Sequence, residues 1–368
     1  MFGTKPVSLL GAKRSALRSQ HMSKSLFHPS LECVQHGGKS LDEVLAYAKR
    51  IGCVGVQLSN FHLLNADGEF IKADAVKSAL EQYELRLDGI SAHCLFWVHG
   101  AAGTGTPSVS KFVPADIYTK GNAGVETWAE IKCIELMELS NDLENFVIPM
   151  FWGPYQGLEV VSGYPWGMWD LPVGNLVQQG FERFAEKTGK LRGHAGDCGL
   201  SLAHELHRGT AATCAEDFLK LVNVCDGDGC LDVNADPSHC WDGEDVETRF
   251  TKVGKHVIGC HVKDMQRIPG RSMLSMEDDW KKRGMQFTKL GEGELNLHRY
   301  VQLMIDVGYP QRFRELQGLE KDATVPLVGE AESAYYDLDE VSEHATNFIA
   351  QNLCSAFATQ SFEKDMGK

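Results

Sequence analysis

The sequence predicts a (β/α)8 TIM barrel with enlarged βα loops on its C-terminal face. A chain of 368 residues is long enough for one such barrel. Short apolar segments alternate with amphipathic helical patterns, and the apolar segments lack strict alternation, as expected for parallel strands covered on both faces. The longest connections all follow strands, which is where TIM barrels carry their active-site loops.

Eight apolar segments are the predicted strands, at residues 28–34, 53–59, 85–93, 145–151, 200–206, 230–234, 257–263 and 325–330. Each is followed by a helical pattern. The first helix, residues 40–52, has Ser40 placed as its N-cap and Gly52 at its end. The last covers residues 339–353. An open doubly wound sheet is the competing fold, but no Gly-rich phosphate turn follows the first strand.

Three long connections, residues 94–121, 152–174 and 264–292, are predicted to be loops rich in glycine and aromatic residues. Their most prominent aromatic residues are Trp152, Tyr164, Trp166 and Trp169. Two interpretations stay open. These rings could line or cover a substrate pocket, since aromatic faces stack well on sugar rings. They could instead pack the loop onto the barrel or form a subunit interface.

Both ends of the chain are expected to lie outside the barrel, which spans residues 24–358. Residues 1–23 carry four basic side chains and no acid. That composition suits an organellar transit peptide, while a disordered extension is the alternative. Residues 359–368 form a C-terminal tail.

Composition narrows the class of partner. The formal charge of −14 argues against nucleic acid, whose binding requires clustered lysine and arginine. No apolar run reaches membrane length, and no secretory signal is present. The 11 cysteines are scattered without a CxxC motif, so we interpret them as reduced thiols. We therefore expect a cytoplasmic protein without a nucleic-acid or membrane partner, with organellar import through residues 1–23 as the alternative.

Charged residues at the C-terminal ends of barrel strands converge on one cavity. The last four predicted strands end at Glu205, Asp236, His261 and Glu330. Two glutamates, an aspartate and an imidazole are hard donors that suit Mn²⁺, Mg²⁺ or Co²⁺. A metal there could polarise a carbonyl and a neighbouring hydroxyl of a sugar-like substrate. Any one of these residues alone could be a turn or core residue, but four at successive strand ends favour a site.

Further polar residues lie close to these positions in the sequence. His239 follows Asp236 by three residues, on a loop that Pro237 keeps out of a helix. His93 ends the third predicted strand, and Lys263 follows the seventh.

The motif "HELH" (204–207) does not fit a zincin, whose histidines are four residues apart. In a strand, successive side chains point to opposite faces, so Glu205 shares the cavity face with His207. His204 is then expected to pack behind the barrel wall. Of the two glutamates at the last strand end, Glu330 is preferred over Glu332 because it directly ends the apolar run "VPLVG".

These residues and motifs resemble the xylose isomerase-like TIM-barrel superfamily, which includes sugar isomerases and epimerases, inosose dehydratases and family 2 AP endonucleases. The resemblance covers most of residues 28–353. In members similar to D-tagatose 3-epimerases, a metal is held by Glu, Asp, His and Glu of the last four strands. The resemblance thus implies the metal ligands Glu205, Asp236, His261 and Glu330. It also implies acid/base roles for the two glutamates and substrate contacts for His239 and Arg267.

Two segments, "AHELHRGTAA" and "DPSHCWDGED", are more similar to the branch that includes C-glycoside deglycosidase catalytic subunits. Those enzymes also remove a proton beside a ketone, but they expel an aglycone. The AP endonuclease branch is disfavoured by the net charge and by the missing additional metal ligands.

The expected function is a divalent-metal-dependent sugar isomerase or epimerase that abstracts a proton alpha to a metal-bound carbonyl and forms an enediolate. Manganese is the expected metal, with magnesium or cobalt as alternatives. The expected catalytic residues are Glu205, Glu330 and His239. The expected substrate-binding residues are Arg267, His207, Lys263, His93, Trp152 and Trp166.

Two other functions stay open on the same scaffold. One is a metal-dependent lyase that cleaves 3-keto-glycosides or C-glycosides or dehydrates inososes. The other is a non-catalytic sugar-binding or interaction subunit. A homo-oligomer is expected, with a hetero-oligomer containing a small subunit as the alternative.

Overall fold

Eight parallel strands form the barrel. The computed structural model describes residues 25–158, 173–227, 229–241, 243–273 and 279–354. The barrel strands are β1 (Phe27–Glu32), β2 (Gly55–Ser59), β3 (Arg86–Ser91), β4 (Val147–Met150), β5 (Ser201–Glu205), β6 (Leu231–Ala235), β7 (Val257–Val262) and β10 (Val325–Gly329). Each lies within about two residues of its predicted position.

The strand order confirms the predicted (β/α)8 barrel. Neighbours follow the order β3-β2-β1-β10-β7-β6-β5-β4, so the last strand pairs with the first. Phe27 of β1 pairs in parallel with Val325 of β10. At the remaining seam, the Ala92 N–H donates a 2.8 Å hydrogen bond to the Pro149 carbonyl, which links the ends of β3 and β4.

Helices surround the sheet. They are α1 (Leu41–Ile51), α2 (Ala73–Tyr83), α3 (His93–Ala101), α4 (Ala115–Tyr118), α5 (Gly121–Asp142), α6 (Val173–Asp197), α7 (Ala215–Val224), α8 (Val246–Lys252), α9 (Leu297–Asp306), α10 (Tyr309–Leu316) and α11 (Leu338–Phe348). Ser40 caps α1 in a capping box with Glu43, and Gly52 ends it in the left-handed conformation at φ 94°, as predicted.

Two of the three predicted loops contain regular structure, which the sequence interpretation missed. Residues 94–121 include α3, whose apolar side chains pack against α5 instead of forming an open loop. Residues 264–292 include an antiparallel hairpin of β8 (Asp264–Arg267) and β9 (Met285–Thr288). The buried Asp264 carboxylate accepts the backbone N–H groups of Gly291, Gly293 and Leu295, and so fastens the segment that follows the hairpin.

The main apolar core lies between the sheet and the helices. All 11 cysteines lie within the described residues as free thiols, and most are buried. No described helix combines the length and apolar character that crossing a bilayer requires. The predicted N-terminal extension, the C-terminal tail, and Tyr164, Trp166 and Trp169 lie outside the described residues.

Candidate metal centre

Four side chains from four adjacent strands meet at the C-terminal mouth of the barrel. Each of Glu205, Asp236, His261 and Glu330 offers one donor atom, and these atoms all lie within 4.8 Å of one another. Nδ1 of His261 lies 2.8 Å from Oε2 of Glu330 and 3.1 Å from Oε2 of Glu205. The structure therefore brings together the four residues that the strand ends predicted, and all four are buried.

The strand register explains this convergence. His261 of β7 pairs with Val328 of β10, and Glu330 lies two residues further along on the same face. Similarly, Glu205 of β5 pairs with Asn234 of β6, and Asp236 lies two residues beyond Asn234. Because side chains alternate along a strand, these spacings direct all of the donors into the barrel.

Hydrogen bonding fixes which nitrogen of His261 faces the acids. Its Nε2 lies 2.9 Å from Oε1 of Gln57, and an amide oxygen can only accept, so Nε2 carries a proton. Without a metal, Nδ1 also carries a proton, and it donates a 2.8 Å hydrogen bond to Oε2 of Glu330. A divalent metal would take the place of this proton between Nδ1 and the two carboxylates. The donor set therefore fits a divalent metal.

The charges at the centre lead to the same conclusion. Burial alone would lower the pKa of His261, but the carboxylates of Glu205, Glu32 and Glu330 outweigh burial and raise that pKa well above its ordinary value. Burial would raise the pKa of Glu205, yet His239, His261 and His93 hold it well below the usual range. The Glu205 carboxylate is thus ionised and attracts positive charge.

Buried polar atoms at the centre lack hydrogen bonds, among them one oxygen of Asp236 and one nitrogen of His239. Oδ1 of Asp236 accepts the Ser238 N–H at 2.7 Å, which turns the other oxygen, Oδ2, toward the cavity. This Oδ2 and Nε2 of His239 lie 3.2 Å apart but are not aligned for a hydrogen bond, and neither forms a hydrogen bond with another group. Leaving such a group unsatisfied costs about 1–3 kcal/mol. A bound ion and substrate would satisfy both atoms.

His239 is also close to Glu205, with Nε2 3.2 Å from Oε1. Burial would lower the pKa of His239, but Asp236 and Glu205 raise it to about 9. His239 is therefore a cation at neutral pH, and its Nε2 can donate a hydrogen bond.

Lys263 bridges two glutamates at the edge of the centre. Its Nζ lies 2.9 Å from Oε1 of Glu330 and 2.7 Å from Oε2 of Glu332, and 4.1 Å from the ring centre of Phe287. Gln35 also donates to Oε1 of Glu330 at 2.8 Å. Glu330 therefore has one oxygen held by Lys263 and Gln35, while the other faces His261.

His93 and His207 lie beside the four donors, as predicted. Nε2 of His93 is 3.5 Å from Oε2 of Glu205, although His93 begins α3 instead of ending β3. The ring of His207 lies 4.2 Å from that of His239. Burial, and secondarily His239, lowers the pKa of His207 to about 3, so this ring is neutral.

Two predicted substrate-binding residues lie elsewhere. Trp152 is fully buried and packs edge-to-face against Phe96 and Phe184. The prediction that it lines the substrate pocket is therefore wrong, because its ring belongs to the core. The Arg267 side chain is 57% exposed at the end of β8, and its guanidinium pairs with Glu294 and with none of the four donors. Trp166 lies outside the described residues. His204 packs behind the barrel wall as predicted, where its Nδ1 accepts a hydrogen bond from the backbone N–H of Trp152.

Sequence reasoning missed Glu32 and Gln57, which contact the far side of His261. Glu32 ends β1, so the rule applied to the last four strands could have found it, whereas Gln57 lies in the middle of β2 and has no such signal. A second group, Cys214, Glu216 and Glu244, lies where α7 begins and in the connection before α8. Lys252 and Arg249 pair with its two glutamates, so these acids are already neutralised by the protein.

Comparison with known proteins agrees with this geometry. A family model described as Xylose isomerase-like TIM barrel matches residues 45–314. A comparison with curated protein sequences gives no significant match.

Solved structures share the fold at low identity. D-allulose 3-epimerase from Methylomonas sp. is 12% identical with a TM-score of 0.55, covering 90% of this chain and 100% of that one. The 3-keto-D-glucoside 4-epimerase from E. coli is 12% identical with a TM-score of 0.55, covering 88% and 99%. A xylose isomerase-like TIM barrel protein from Mycobacterium smegmatis in complex with magnesium is 15% identical with a TM-score of 0.55, covering 90% and 98%. The match of the family model over most of the barrel, on a chain with this fold, shows that the protein belongs to the xylose isomerase-like TIM barrel family.

Proposed function

We propose that this protein is a divalent-metal-dependent sugar isomerase or epimerase that works by proton abstraction beside a carbonyl. The observation that carries the proposal is the convergence of Glu205, Asp236, His261 and Glu330 within 4.8 Å. The epimerases among the structural neighbours support an enzyme of this class.

The four donors would hold the metal, with manganese as the expected ion and magnesium or cobalt as alternatives. When bound, a divalent cation polarises a carbonyl and its neighbouring hydroxyl and so makes the C–H bond between them more acidic. Three oxygen donors and one nitrogen leave positions in an octahedral shell for substrate oxygens.

The two glutamates are the proposed acid and base. Glu205 lies on β5 and Glu330 follows β10, so they approach the cavity from different sides of the barrel. One removes the proton, and an enediolate forms. Return of a proton to the opposite face by the partner, after that carboxylate has taken up a proton from solvent, gives the epimer. Return to the neighbouring carbon, with movement of the hydroxyl proton to the former carbonyl oxygen, gives the isomer. Each such group typically contributes about 10²–10⁴-fold to the rate.

His239 completes the set as a hydrogen-bond donor to a substrate oxygen, because it is cationic and its Nε2 has no hydrogen-bond partner. Aromatic rings enclose this position. Phe287 of the hairpin lies 5.7 Å from the His239 ring, and Phe151 lies 4.4 Å from the His93 ring. Excluding water in this way strengthens the electrostatic interactions of the bound substrate.

Solvent exchange tests the proposed step. The full chain is incubated in D₂O with Mn²⁺ and either D-fructose or D-allulose, and deuterium at the carbon beside the carbonyl is measured by NMR. We expect incorporation with the wild type and its loss in Glu205→Gln. If no ketose takes up deuterium with Mn²⁺, Mg²⁺ or Co²⁺, the proton-abstraction proposal is wrong.

One observation favours a second candidate, a lyase on the same scaffold. The cationic His239 lies 3.2 Å from Glu205, so an acid stands beside the proposed base. An acid there could protonate a leaving group on the carbon next to the one that loses its proton. A 3-keto-glycoside that releases its aglycone faster than it epimerises would favour this candidate over the first.

A further inference from the structure

A side crevice opens next to the candidate metal centre. It has a volume of about 260 Å³ and lies between Trp280, near the start of β9, and the connection from β10 to α11. Glu332, Ser333 and Tyr336 of that connection contribute its polar and aromatic lining. The crevice therefore lies on the C-terminal rim of the barrel, where this fold binds substrates.

One ammonium group connects the crevice to the metal centre. Nζ of Lys263 lies within hydrogen-bond distance of Glu330, at 2.9 Å, and of Glu332, at 2.7 Å. The Glu330 side chain is 9% exposed and faces the centre, whereas the Glu332 side chain is 32% exposed and lines the crevice. If the reacting ring of a substrate were bound at the metal centre, a second ring attached to it would therefore lie in the crevice.

The walls of the crevice are exposed aromatic side chains. Trp280 is 46% exposed and Tyr336 is 44% exposed. The two walls are tied together, since the Tyr335 hydroxyl donates to the Lys281 carbonyl at 3.1 Å and Gln286 donates to the same hydroxyl at 3.0 Å. Large aromatic side chains that are exposed and held in place are more frequent at binding sites than on the rest of a protein surface.

The chemistry of the lining indicates the class of ligand. Aromatic faces stack on the apolar faces of pyranose rings, and the Glu332 carboxylate and Ser333 hydroxyl can hydrogen-bond sugar hydroxyls. The Arg283 guanidinium lies 4.6 Å from the ring centre of Trp280, and the Lys289 ammonium lies 4.0 Å from that of Tyr336, so a sugar ring would stack on the opposite face of either ring. The volume lies below the roughly 300–1,000 Å³ of a site for a drug-sized ligand, which suits a single ring.

We propose that this crevice is a second sugar subsite, and that the substrate is a ketose carrying a glycosyl substituent. The inference rests on the proposed function, because it takes the first ring to be bound at the metal centre. Trp280 and Tyr336 would then determine specificity without touching the reacting atoms.

The test compares a ketose with its glycosylated forms. Binding of D-fructose, lactulose, maltulose, turanose and isomaltulose to the Mg²⁺-loaded full chain is measured by isothermal titration calorimetry. We expect at least one disaccharide to bind about tenfold more tightly than D-fructose, the gain that an aromatic contact typically gives. Trp280→Ala and Tyr336→Ala should remove that gain and leave the affinity for D-fructose unchanged. The matched control is Tyr118→Ala, since Tyr118 is 43% exposed on α4, outside the crevice.

The subsite proposal is overturned if no disaccharide binds more tightly than D-fructose, or if Trp280→Ala weakens both ligands equally. The deuterium-exchange assay tests the proposed proton abstraction independently of the binding measurements. Exchange into D-fructose without a disaccharide preference removes the subsite and leaves the proposed function intact. A Trp280-dependent preference without exchange into any ketose removes the chemistry and leaves the subsite intact.

Discussion

Oε1 of Gln57 lies 2.9 Å from Nε2 of His261, and this contact turns the other nitrogen of the ring toward Glu205 and Glu330. Oε2 of Glu32 lies 3.4 Å from the same Nε2 without forming a hydrogen bond. Gln57 is thus the group that sets the tautomer and orientation of the only imidazole among the four donors.

Removing this acceptor should weaken metal binding. In Gln57→Leu, the His261 ring loses its fixed orientation, and we expect Mn²⁺ affinity to fall by about 10–100-fold, the usual effect of losing such a partner. Isothermal titration calorimetry measures this without a substrate. Gln82→Leu, at an exposed position on α2, is the matched control. Equal affinity in Gln57→Leu and wild type would show that Gln57 does not position His261.

Neutralising either proposed acid/base group should stop proton exchange. Glu205→Gln and Glu330→Gln keep the side-chain shape but cannot take up a proton, so we expect deuterium uptake by a ketose to fall at least about 100-fold. NMR follows the exchange, and Glu81→Gln on the exposed face of α2 is the control. A variant that binds metal and still exchanges at the wild-type rate would show that its glutamate is not the base.

Lys263 should contribute to stability as well as to the site. It is 2% exposed and pairs with Glu330 and Glu332, so Lys263→Met removes the ammonium from the buried Glu330 carboxylate, whose Oε1 then keeps only the Gln35 amide as a hydrogen-bond donor. We expect a loss of about 3–5 kcal/mol in the free energy of unfolding, measured by urea denaturation without metal. Added Mn²⁺ should restore more stability to this variant than to wild type. A loss below about 1 kcal/mol, the range of an exposed ion pair, would contradict this account.

Acid should destabilise the fold through His36. Burial, assisted by Lys39, lowers the pKa of His36 to about 4, whereas the unfolded chain has the ordinary value of 6.5. Between those values the unfolded state binds a proton that the folded state does not. His36 therefore favours unfolding as pH falls from about 6.5 to 4, by at most about 1.4 kcal/mol per pH unit.

His36→Gln checks this contribution by urea denaturation across the same pH range. The variant should lose less stability on acidification than wild type does. His298→Gln, which changes an exposed histidine on α9, is the control. An unchanged pH dependence in His36→Gln would show that His36 does not contribute.

The barrel was predictable because parallel strands leave a pattern that depends on local sequence, namely short apolar runs each followed by a helix. The four donors were predictable for the same reason, since each ends a strand. The role of Gln57 could not be predicted, because an amide within an apolar strand carries no signal of its own. Its role depends on the strand register that places it against His261.

The errors have a related cause. Trp152 follows β4, as a loop residue would, but its ring packs against Phe96 and Phe184. These two residues lie on helices that are distant in sequence, so the orientation of the ring could not be predicted. The β8–β9 hairpin was taken for a loop because its strands are only four residues each, too short for a clear period. Arg267 lies on that hairpin and pairs with Glu294, so its substrate contact stays a prediction.

Metal content tests the central claim most directly. The full chain is loaded with Mn²⁺, desalted and analysed by mass spectrometry, in parallel with Asp236→Ala, whose fold is checked by circular dichroism. The account predicts about one tightly held ion per wild-type chain, as a single site of four donors implies, and a large loss in the variant. A wild-type chain that retains no divalent ion, or a folded Asp236→Ala variant that retains as much as wild type, would contradict it.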